Sequence, residues 1–530
     1  MANDWDRIAL LLFLTTVETF IAVTALVAIG KDLGHFDNAS WILASYQLGY
    51  VAIIVIAAKI SDICGRKPVL LASIVLFTAL SGGCGAAQSM TQLIILRAVQ
   101  GIGAGGCFAL CAIIMVELVP PEKLGGLVAK TGVAIVMAMV LGPLIGGTIS
   151  DNTTWRWIFL FNVPAGAVGF LLVAFGIPDG FPKHQSHTVE EKPDKISTES
   201  LARIDALGFI LLMLATTTFT AGFQEADGRF PWASAYVLTL LIGSAVLWAI
   251  LLIWERHVTI ADAMREPVLP WRFFTNRVFV GLMLGFVLVG GPMAAINFQL
   301  PQRFQLINKM SSFDAGVRII PYGAAFPVGS MVSAKVASRF KVPGIYFVFA
   351  GSVFQIIGYA MLSTLGSSVK IDPGTYGYEF LCGLGSGTNY QILYLMVPFT
   401  AEKRDHGERP PDKMTSRSYQ NKADCSKRVA VGMGAANQFR YMGSAFALAI
   451  VTSVFNGYTG SRLEGLGVPG LTQTLVAGHG TDLGDTDLEA EARRILSGGY
   501  NRQMLVLCGF AVAQVPAALL MWRKKQVLVG

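Results

Sequence analysis

Long apolar stretches alternate with short polar ones along almost the whole chain. Each apolar stretch holds about 20 residues, the length that an α-helix needs to cross a hydrocarbon core of about 30 Å. Helices are expected because a backbone inside lipid must satisfy its own polar groups, and these stretches are too long for barrel strands. The pattern predicts fourteen membrane-spanning helices, at 8–30, 41–60, 69–88, 93–118, 127–150, 157–176, 205–222, 234–254, 278–300, 314–336, 343–364, 375–399, 429–455 and 500–522.

Composition supports a membrane protein. Hydrophobic residues make up 53% of the chain and charged residues 14%, with a mean hydropathy of +0.55, whereas soluble domains carry about a quarter charged residues. The net charge of +7 does not indicate nucleic-acid binding, because most Lys and Arg fall in segments that the helix count places in the cytoplasm. Both chain termini are expected in the cytoplasm. The expected partner of the chain is the lipid bilayer, not a nucleic acid.

Polar stretches divide the predicted helices into groups of six, two and six. The predicted units are a six-helix bundle at 1–177, a cytoplasmic linker at 178–204, two additional helices at 205–254, a second cytoplasmic linker at 255–277, and a C-terminal six-helix bundle at 278–530. The last bundle contains a cytoplasmic loop at 400–428 and an outer loop at 456–499. In the outer loop, 487–496 is predicted to form a short amphipathic helix at the lipid surface.

The two bundles carry an internal repeat. Arg97 and Glu379 lie 282 positions apart, each four residues before a Gly-x-Gly-x-Gly run, and the residues at 58–61 recur in similar form at 334–337. Many transporters are built from such repeats, with the substrate site at the seam. The opposite charges at matching positions indicate that the halves have diverged.

The loop between the second and third predicted helices combines an acid with two bases. Its sequence from Ala58 to Lys67 resembles the G-x-L-x-D-R-x-G-R-K signature of the major facilitator superfamily, although Ala58 and Ile63 replace the usual Gly and Arg. The resemblance implies a cytoplasmic latch between the bundles. Alternatively, the two bases only anchor the topology. The implied latch residues are Asp62, Gly65, Arg66 and Lys67.

The fifth predicted helix resembles the antiporter motif of exporters in this superfamily. Its residues are Gly142, Pro143, Gly146 and Gly147; the proline kinks the helix, and the small residues allow a neighbour to approach closely. A kinked packing helix without bearing on transport direction is the alternative. The segment from Trp155 to Pro164 matches the entry to helix six in fourteen-span drug:proton antiporters.

The resemblance covers almost the whole chain and is strongest to fungal pumps that expel toxins and other secondary metabolites. It implies an all-α membrane protein with the major-facilitator fold, built as two six-helix bundles plus two additional central helices.

A carboxyl group inside a membrane is costly and is normally functional. Glu18 lies about halfway along the first predicted helix and Arg440 about halfway along the thirteenth. Arg97 and Glu379 lie near the outer ends of theirs, where they are expected to reach outer water. Glu18 also stands in a segment that resembles the family's first-helix motif, where Asp is usual. We predict that Glu18 is the main proton site, with Arg440 as a candidate partner. Arg97 is assigned to coupling or outer gating, and Glu379 to coupling. A purely structural Glu18 is the alternative.

Sparse polar and aromatic side chains in the second half are candidates for substrate contact, although each could equally bond neighbouring helices: Asn297, Gln299, Gln355, Asn389, Tyr390 and Gln391. The sequence contains no P-loop and no metal-ligand cluster, so we expect neither cofactor nor metal ion. Two glycosylation sequons, at Asn38 and Asn152, fall in predicted outer loops.

These features predict a secondary active transporter, not an enzyme. The expected activity is proton-coupled export of a small hydrophobic organic compound, such as a drug, toxin or fungal secondary metabolite, by a monomer in the plasma membrane or in a vacuolar or vesicular membrane. Proton-coupled uptake or vacuolar transport of siderophores or basic amino acids is one alternative. A non-transporting membrane sensor on the same fold is another.

Overall fold

The structure, a computed structural model, describes residues 2–34, 39–118, 137–138, 141–177, 205–226, 230–261, 265, 267–269, 271–401, 416–466 and 486–523. Within these ranges the chain is almost entirely helical and contains no β-strand. The helices are α1 (Ala2–Leu33), α2 (Ala39–Cys64), α3 (Arg66–Gly85), α4 (Met90–Leu118), α5 (141–152), α6 (Arg156–Leu160), α7 (Asn162–Gly176), α8 (Ala206–Glu225), α9 (Ala235–Ala261), α10 (Trp271–Thr275), α11 (Arg277–Leu306), α12 (Ser312–Arg318), α13 (Ile320–Phe340), α14 (Gly344–Leu362), α15 (Gly374–Ala401), α16 (Ser416–Glu464) and α17 (Thr486–Leu520).

The all-α membrane fold is confirmed. Among the described residues, ten helical segments are long and apolar enough to cross a membrane: α1, α2, α3, α4, α6 with α7, α8, α9, α11, α14 and α17. Helices α5, α13, α15 and α16 occupy the other four predicted spans in whole or in part, but they are not among these ten. The number fourteen therefore stays a prediction.

The helices extend further into two predicted loops than the sequence indicated. Helix α15 continues to Ala401 and α16 begins at Ser416, so the predicted loop at 400–428 is partly helical. The predicted short helix at 487–496 is helical, but it forms the first part of α17. Its residues Ala492 and Ile495 pack in a buried cluster with Ile307. An amphipathic pattern does not distinguish a face that contacts protein from one that contacts lipid, so the prediction of a lipid-surface helix was wrong.

The internal repeat is visible as two matching helix crossings, α2 with α4 and α13 with α15. At both crossings, glycines of one helix lie directly against backbone carbonyls of the other, where a side chain would overlap the backbone. Small residues allow membrane helices to approach this closely. The matched contacts are Gly101 with Tyr46, Gly105 with Tyr50, Gly383 with Tyr322 and Gly387 with Phe326. The sequence offsets of 276 and 282 therefore relate equivalent positions in space.

The two halves meet along a buried seam. The largest hydrophobic cluster contains residues of α1 from the first half together with residues of α11, α13 and α15 from the second. Helices α8 and α9 pack against each other, and α8 contacts both α2 and α16. The additional helix pair therefore lies beside the seam, next to both halves.

Candidate transport site

A buried ion pair joins α1 to α4. The side chains of Glu18 and Arg97 are fully buried, and Arg97 Nη1 donates to Glu18 Oε1 at 2.5 Å. Gln100 Nε2 donates to the same oxygen at 3.2 Å, and Asn162 Nδ2, from α7, donates to Oε2. An ionised carboxylate accepts hydrogen bonds on both oxygens. This arrangement therefore suits the deprotonated carboxylate, and proton binding would weaken it.

Aromatic rings and backbone surround the guanidinium. The Cζ atom of Arg97 lies 4.1 Å from the ring centroid of Tyr46 and 5.3 Å from that of Phe159. Its Nε donates to the carbonyl of Ile42 at 3.4 Å, whereas Nη2 has no hydrogen-bond partner among the described residues. A buried cation depends strongly on its counter-charge. The protonation state of Glu18 therefore controls how well Arg97 is accommodated.

The predicted pairing of Glu18 with Arg440 was wrong, since the partner of Glu18 is Arg97. Helix α4 begins at Met90, three residues earlier than predicted. Arg97 therefore lies about two turns inside the helix and is fully buried, instead of reaching outer water. Depth along a helix could be read from the sequence, but the direction in which a side chain faces could not.

Two hydrogen-bond donors to the Glu18 carboxylate, Gln100 and Asn162, were not predicted from the sequence. Gln100 lies three residues after Arg97 and so shares its helix face, which the spacing could have shown. Its Oε1 accepts from Arg97 Nη1 at 2.8 Å, and its Nε2 also donates to Ser81 Oγ at 2.7 Å. Asn162 belongs to the Trp155–Pro164 motif, so this motif supplies part of the acid site.

A cavity of about 30 Å³ lies between the two halves. This is room for only a few water molecules, so the cavity is too small for a larger solute in this conformation. Residues of α1 and α2 line one side, and residues of α11 and α16 line the other. They are Thr16, Thr19, Phe20, Gln47, Met293, Ala294, Phe298, Arg440, Tyr441 and Ser444.

Arg440 belongs to this cavity. Its Cζ lies 3.8 Å from the ring centroid of Tyr441 and 5.7 Å from that of Tyr390, and its Nε has no hydrogen-bond partner among the described residues. The Tyr441 hydroxyl lies 3.1 Å from that of Tyr50, from the other half. Arg440 therefore presents a positive charge at the seam, where two tyrosines hold it.

None of the six predicted substrate residues is among those that line the cavity. The side-chain amide of Asn389 lies within hydrogen-bond distance of Ser352 and Gln514, and Gln514 Nε2 donates to Gln355 Oε1 at 3.0 Å. Asn389 and Gln355 thus connect α14, α15 and α17 inside the second bundle. Asn297 donates to the carbonyl of its own helix at Met293, 2.6 Å away. The rest are also buried: Gln299, Tyr390 and Gln391.

Glu379 is fully buried, and neither of its carboxyl oxygens has a hydrogen-bond partner among the described residues. Its matching position in the first half holds the paired Arg97. The prediction that Glu379 reaches outer water is wrong for this conformation.

The predicted latch lies at the junction of α2 and α3. Gly65 separates the two helices with a φ of +91°, a conformation that favours glycine. Arg66 Nη1 donates to Ser61 Oγ at 2.5 Å and to the carbonyl of Ala58 at 3.3 Å. Asp62 falls in the last turn of α2 instead of beyond it, and its side chain lies outside the described residues. The latch function itself stays a prediction.

The antiporter-motif residues of α5 make two kinds of contact. Gly142 and Gly146 lie against α1 within the first bundle, whereas Gly147 lies against the backbone of Phe313 in the second half. Asp151 Oδ2 accepts from the backbone N–H of Phe313 at 3.0 Å. We call the packing of α5 on α12 the outer contact, because the predicted topology places it at the outer side.

The Trp155–Arg156 pair ties α6 to the end of α1. Arg156 Nη1 donates to Asp32 Oδ2 at 2.6 Å, and Trp155 Nε1 donates to the same oxygen at 2.9 Å. The hydrogen bonds from Arg156 and then Trp155 lower the pKa of the Asp32 carboxyl. A group with a lowered pKa stabilises the folded state above its unfolded pKa, and this stability is lost as the pH falls through the folded value.

Replacing Asp32 by Asn is therefore expected to lower the free energy of unfolding by no more than about 1 kcal/mol, because the pair is partly exposed. Thermal unfolding of detergent-solubilised protein at pH 7 should show this small loss, and the difference from wild type should shrink towards pH 3. A difference that does not change with pH would contradict the ionic role of Asp32.

Of the two predicted glycosylation sites, Asn38 lies outside the described residues. Asn152 is exposed near the end of α5, where its Nδ2 donates to the carbonyl of Thr148 at 2.9 Å. Its glycosylation stays a prediction.

Two repeated helical halves, a small cavity at their seam and a buried ion pair are typical of a membrane transporter. The family model described as Major Facilitator Superfamily matches residues 8–448. The chain belongs to this superfamily, and it is a multi-pass membrane transporter.

Several curated relatives are similar over most of the chain. An MFS-type transporter, FPY5, of Fusarium mangiferae is 33% identical and aligns over 97% of this chain and 82% of its own. The efflux pump mlcE of Penicillium citrinum is 28% identical over 73% of this chain and 69% of its own. Multidrug resistance protein 3 of Bacillus subtilis is 28% identical over 77% of this chain and 75% of its own.

Solved structures support the fold. An inward-facing bacterial homologue of the human lysosomal transporter Spinster superposes with a TM-score of 0.58 at 14% identity, covering 98% of both chains. A D-xylose–proton symporter superposes with a TM-score of 0.54, also at 14% identity, covering 98% of this chain and 97% of its own.

Proposed function

We propose that this transporter exports a small hydrophobic organic compound in exchange for protons. The observation that carries the proposal is the fully buried Glu18–Arg97 pair, in which Glu18 directly precedes Thr19, a residue that lines the seam cavity. A carboxylate with a single cationic partner changes the local net charge when it binds a proton, and a buried change of charge shifts the balance between packed conformations. Glu18 is the proton carrier, and Arg97 is the group that responds to its protonation.

The substrate site is the seam cavity in its opened form. Its walls combine phenylalanine and methionine side chains with a few hydroxyl and amide groups, which suits a lipophilic compound with few polar groups. Among the described residues that line the cavity, Arg440 is the charged one, and none is an acid. The cavity therefore favours a neutral or anionic solute and disfavours a basic amino acid, one of the alternative cargoes.

Export is favoured over uptake by two observations. Two relatives carry the names efflux pump and multidrug resistance protein. The helix that carries the antiporter motif also forms the outer contact between the halves. We place the protein in the plasma membrane, which a fluorescent fusion in living cells would test.

The direction of substrate transport can be tested by producing the protein in yeast cells that lack their own major efflux pumps. A panel of fluorescent neutral and anionic lipophilic dyes should accumulate less in these cells than in cells that contain the Glu18→Gln variant. Greater accumulation with the wild-type protein would show uptake instead.

Replacing Phe298 by Ala is expected to enlarge the cavity and to change which dyes are exported. A deleted phenyl ring leaves space between α11 and the facing helices, so larger dyes should gain affinity and smaller ones should lose it. Apparent KM values for dyes of graded size would show this, with proton coupling retained. Equal changes for dyes of every size would contradict a direct contact.

A further inference from the structure

Glu379 is a buried carboxyl that the Glu18–Arg97 pair does not use. It lies five residues after Gly374, where α15 begins, and both of its oxygens are buried without a hydrogen-bond partner among the described residues. An unpaired carboxylate is very costly in such surroundings. In this conformation Glu379 is therefore accommodated in its neutral, protonated form.

The groups around Glu379 are mostly neutral. Cys382 lies near it, one turn along α15, and Tyr322 of α13 and Tyr359 of α14 lie near Cys382. Their hydroxyl oxygens also lack hydrogen-bond partners among the described residues. Arg318 of α12 is a cation near Glu379, since it bonds the hydroxyl of Tyr376, three residues before Glu379 on α15. Helices α11 and α16 also pack on α15. Arg303 of α11 donates to Asn501 and Ser497 of α17, and Arg440 of α16 lies with tyrosines at the seam.

Arg318 links this carboxyl to the contact between the halves. Its Nη1 donates to the hydroxyl of Tyr376, in the first turn of α15, and its Nε lies 2.9 Å from Met310 Sδ. The same short helix, α12, rests on the first half through Phe313, which donates its backbone N–H to Asp151. Gly316 of α12 lies against Pro143. One helix thus touches both the outer contact and the surroundings of Glu379.

We propose that Glu379 is a second proton-binding site, separate from Glu18, whose protonation allows the outer contact to close. While Glu379 carries a proton, Arg318 keeps its hydrogen bond to Tyr376, and α12 stays packed against α5. When Glu379 loses its proton, its negative charge competes with the Tyr376 hydroxyl for Arg318, which draws α12 away from α5.

The proton at Glu379 comes from outer water and returns to it when the outer side opens. The site therefore makes turnover depend on outer pH, without adding to the number of protons moved with each substrate molecule. This inference rests on the proposed function in one respect, which is that the two halves alternate between outer-closed and outer-open forms.

The test measures the distance between spin labels across the outer contact as a function of pH. Labels are placed at the exposed positions Thr148 and Lys370, in a variant whose seven native cysteines are replaced and which retains efflux. In the otherwise unaltered protein, the ratio of outer-closed to outer-open forms should fall by about threefold or more between pH 5.5 and pH 8, since one linked proton allows up to about tenfold per pH unit. An unchanged ratio overturns the inference without any further variant.

Three variants assign the effect. Glu379→Gln, which resembles the protonated form, should remain outer-closed at both pH values, and Tyr376→Phe, which removes the alternative partner of Arg318, should favour the outer-open form. Glu18→Gln should keep the pH-dependent shift. A shift that survives in Glu379→Gln would overturn the inference. If the protein showed the pH-dependent shift but no proton-coupled transport, the inference about Glu379 would stand. The proposed function would then be contradicted.

Discussion

Glu18→Gln is expected to abolish proton-driven efflux. The amide cannot exchange a proton, so the charge at the centre of the ion pair no longer changes during the cycle. The substitution also leaves Arg97 buried without a counter-charge, which should lower the free energy of unfolding by about 3–5 kcal/mol. Efflux driven by an imposed pH gradient in proteoliposomes measures the first effect, and thermal unfolding in detergent measures the second.

The double variant Glu18→Gln/Arg97→Gln is the matched control. It removes both charges, so much of the lost stability should return while coupling remains absent, which gives a favourable interaction energy in a double-mutant cycle. This control separates loss of mechanism from loss of folding. Unchanged pH-driven efflux in the single variant would remove Glu18 from the mechanism.

Gly147→Val is expected to stop transport in a folded protein. A side chain at Gly147 would overlap the backbone of Phe313 in the opposite half, so the outer side could not close and the cycle would halt in the outer-open form. Because the halves separate at this contact, the variant can avoid the overlap by staying open. Dye efflux should fall to background, with a thermal unfolding midpoint close to that of wild type.

The adjacent glycine provides the control. A side chain at Gly146 would overlap the carbonyl of Ile21 and the hydroxyl of Thr24, both in α1 of the same bundle. These helices have no separated form to adopt, so Gly146→Val should cost about 1–3 kcal/mol of stability and lower the yield of folded protein. Equal stability losses in the two variants would contradict the assignment of Gly147 to a contact that opens.

The helices and the repeat were predictable because each rests on local information. Apolar length indicates a membrane helix whatever it packs against, and the repeated glycines at Gly101 and Gly383 mark close crossings in both halves. The loop at 400–428 was less predictable because polar residues do not stop a helix, and α16 begins within it.

The acid was predictable, but its partner was not. A single carboxyl in the middle of an apolar run is recognisable from sequence, which identified Glu18. The choice of Arg440 over Arg97 used depth alone, and depth changed when α4 proved to start at Met90. The cavity lining was missed for a related reason: threonines such as Thr16 and Thr19 are common in membrane helices, and only their facing direction distinguishes them.

The polar residues predicted to contact substrate are residues that the sequence wrongly assigned to the cavity. Asn389 and Gln355 are conspicuous in an apolar sequence, but the structure uses them to bond α14, α15 and α17 to one another. Inside a membrane, a buried amide needs a partner wherever it lies, so its presence does not reveal whether it faces a ligand or a neighbouring helix.

The most direct test of proton exchange through Glu18 is to follow protons and substrate together in sealed proteoliposomes. With equal pH on both sides and a gradient of an exported dye, the wild-type protein should move protons against the direction of dye flow, as reported by a pH-sensitive dye trapped inside. Glu18→Gln should show no such proton movement. Dye transport by the wild-type protein without proton movement, or equal proton movement in the Glu18→Gln variant, would contradict the account.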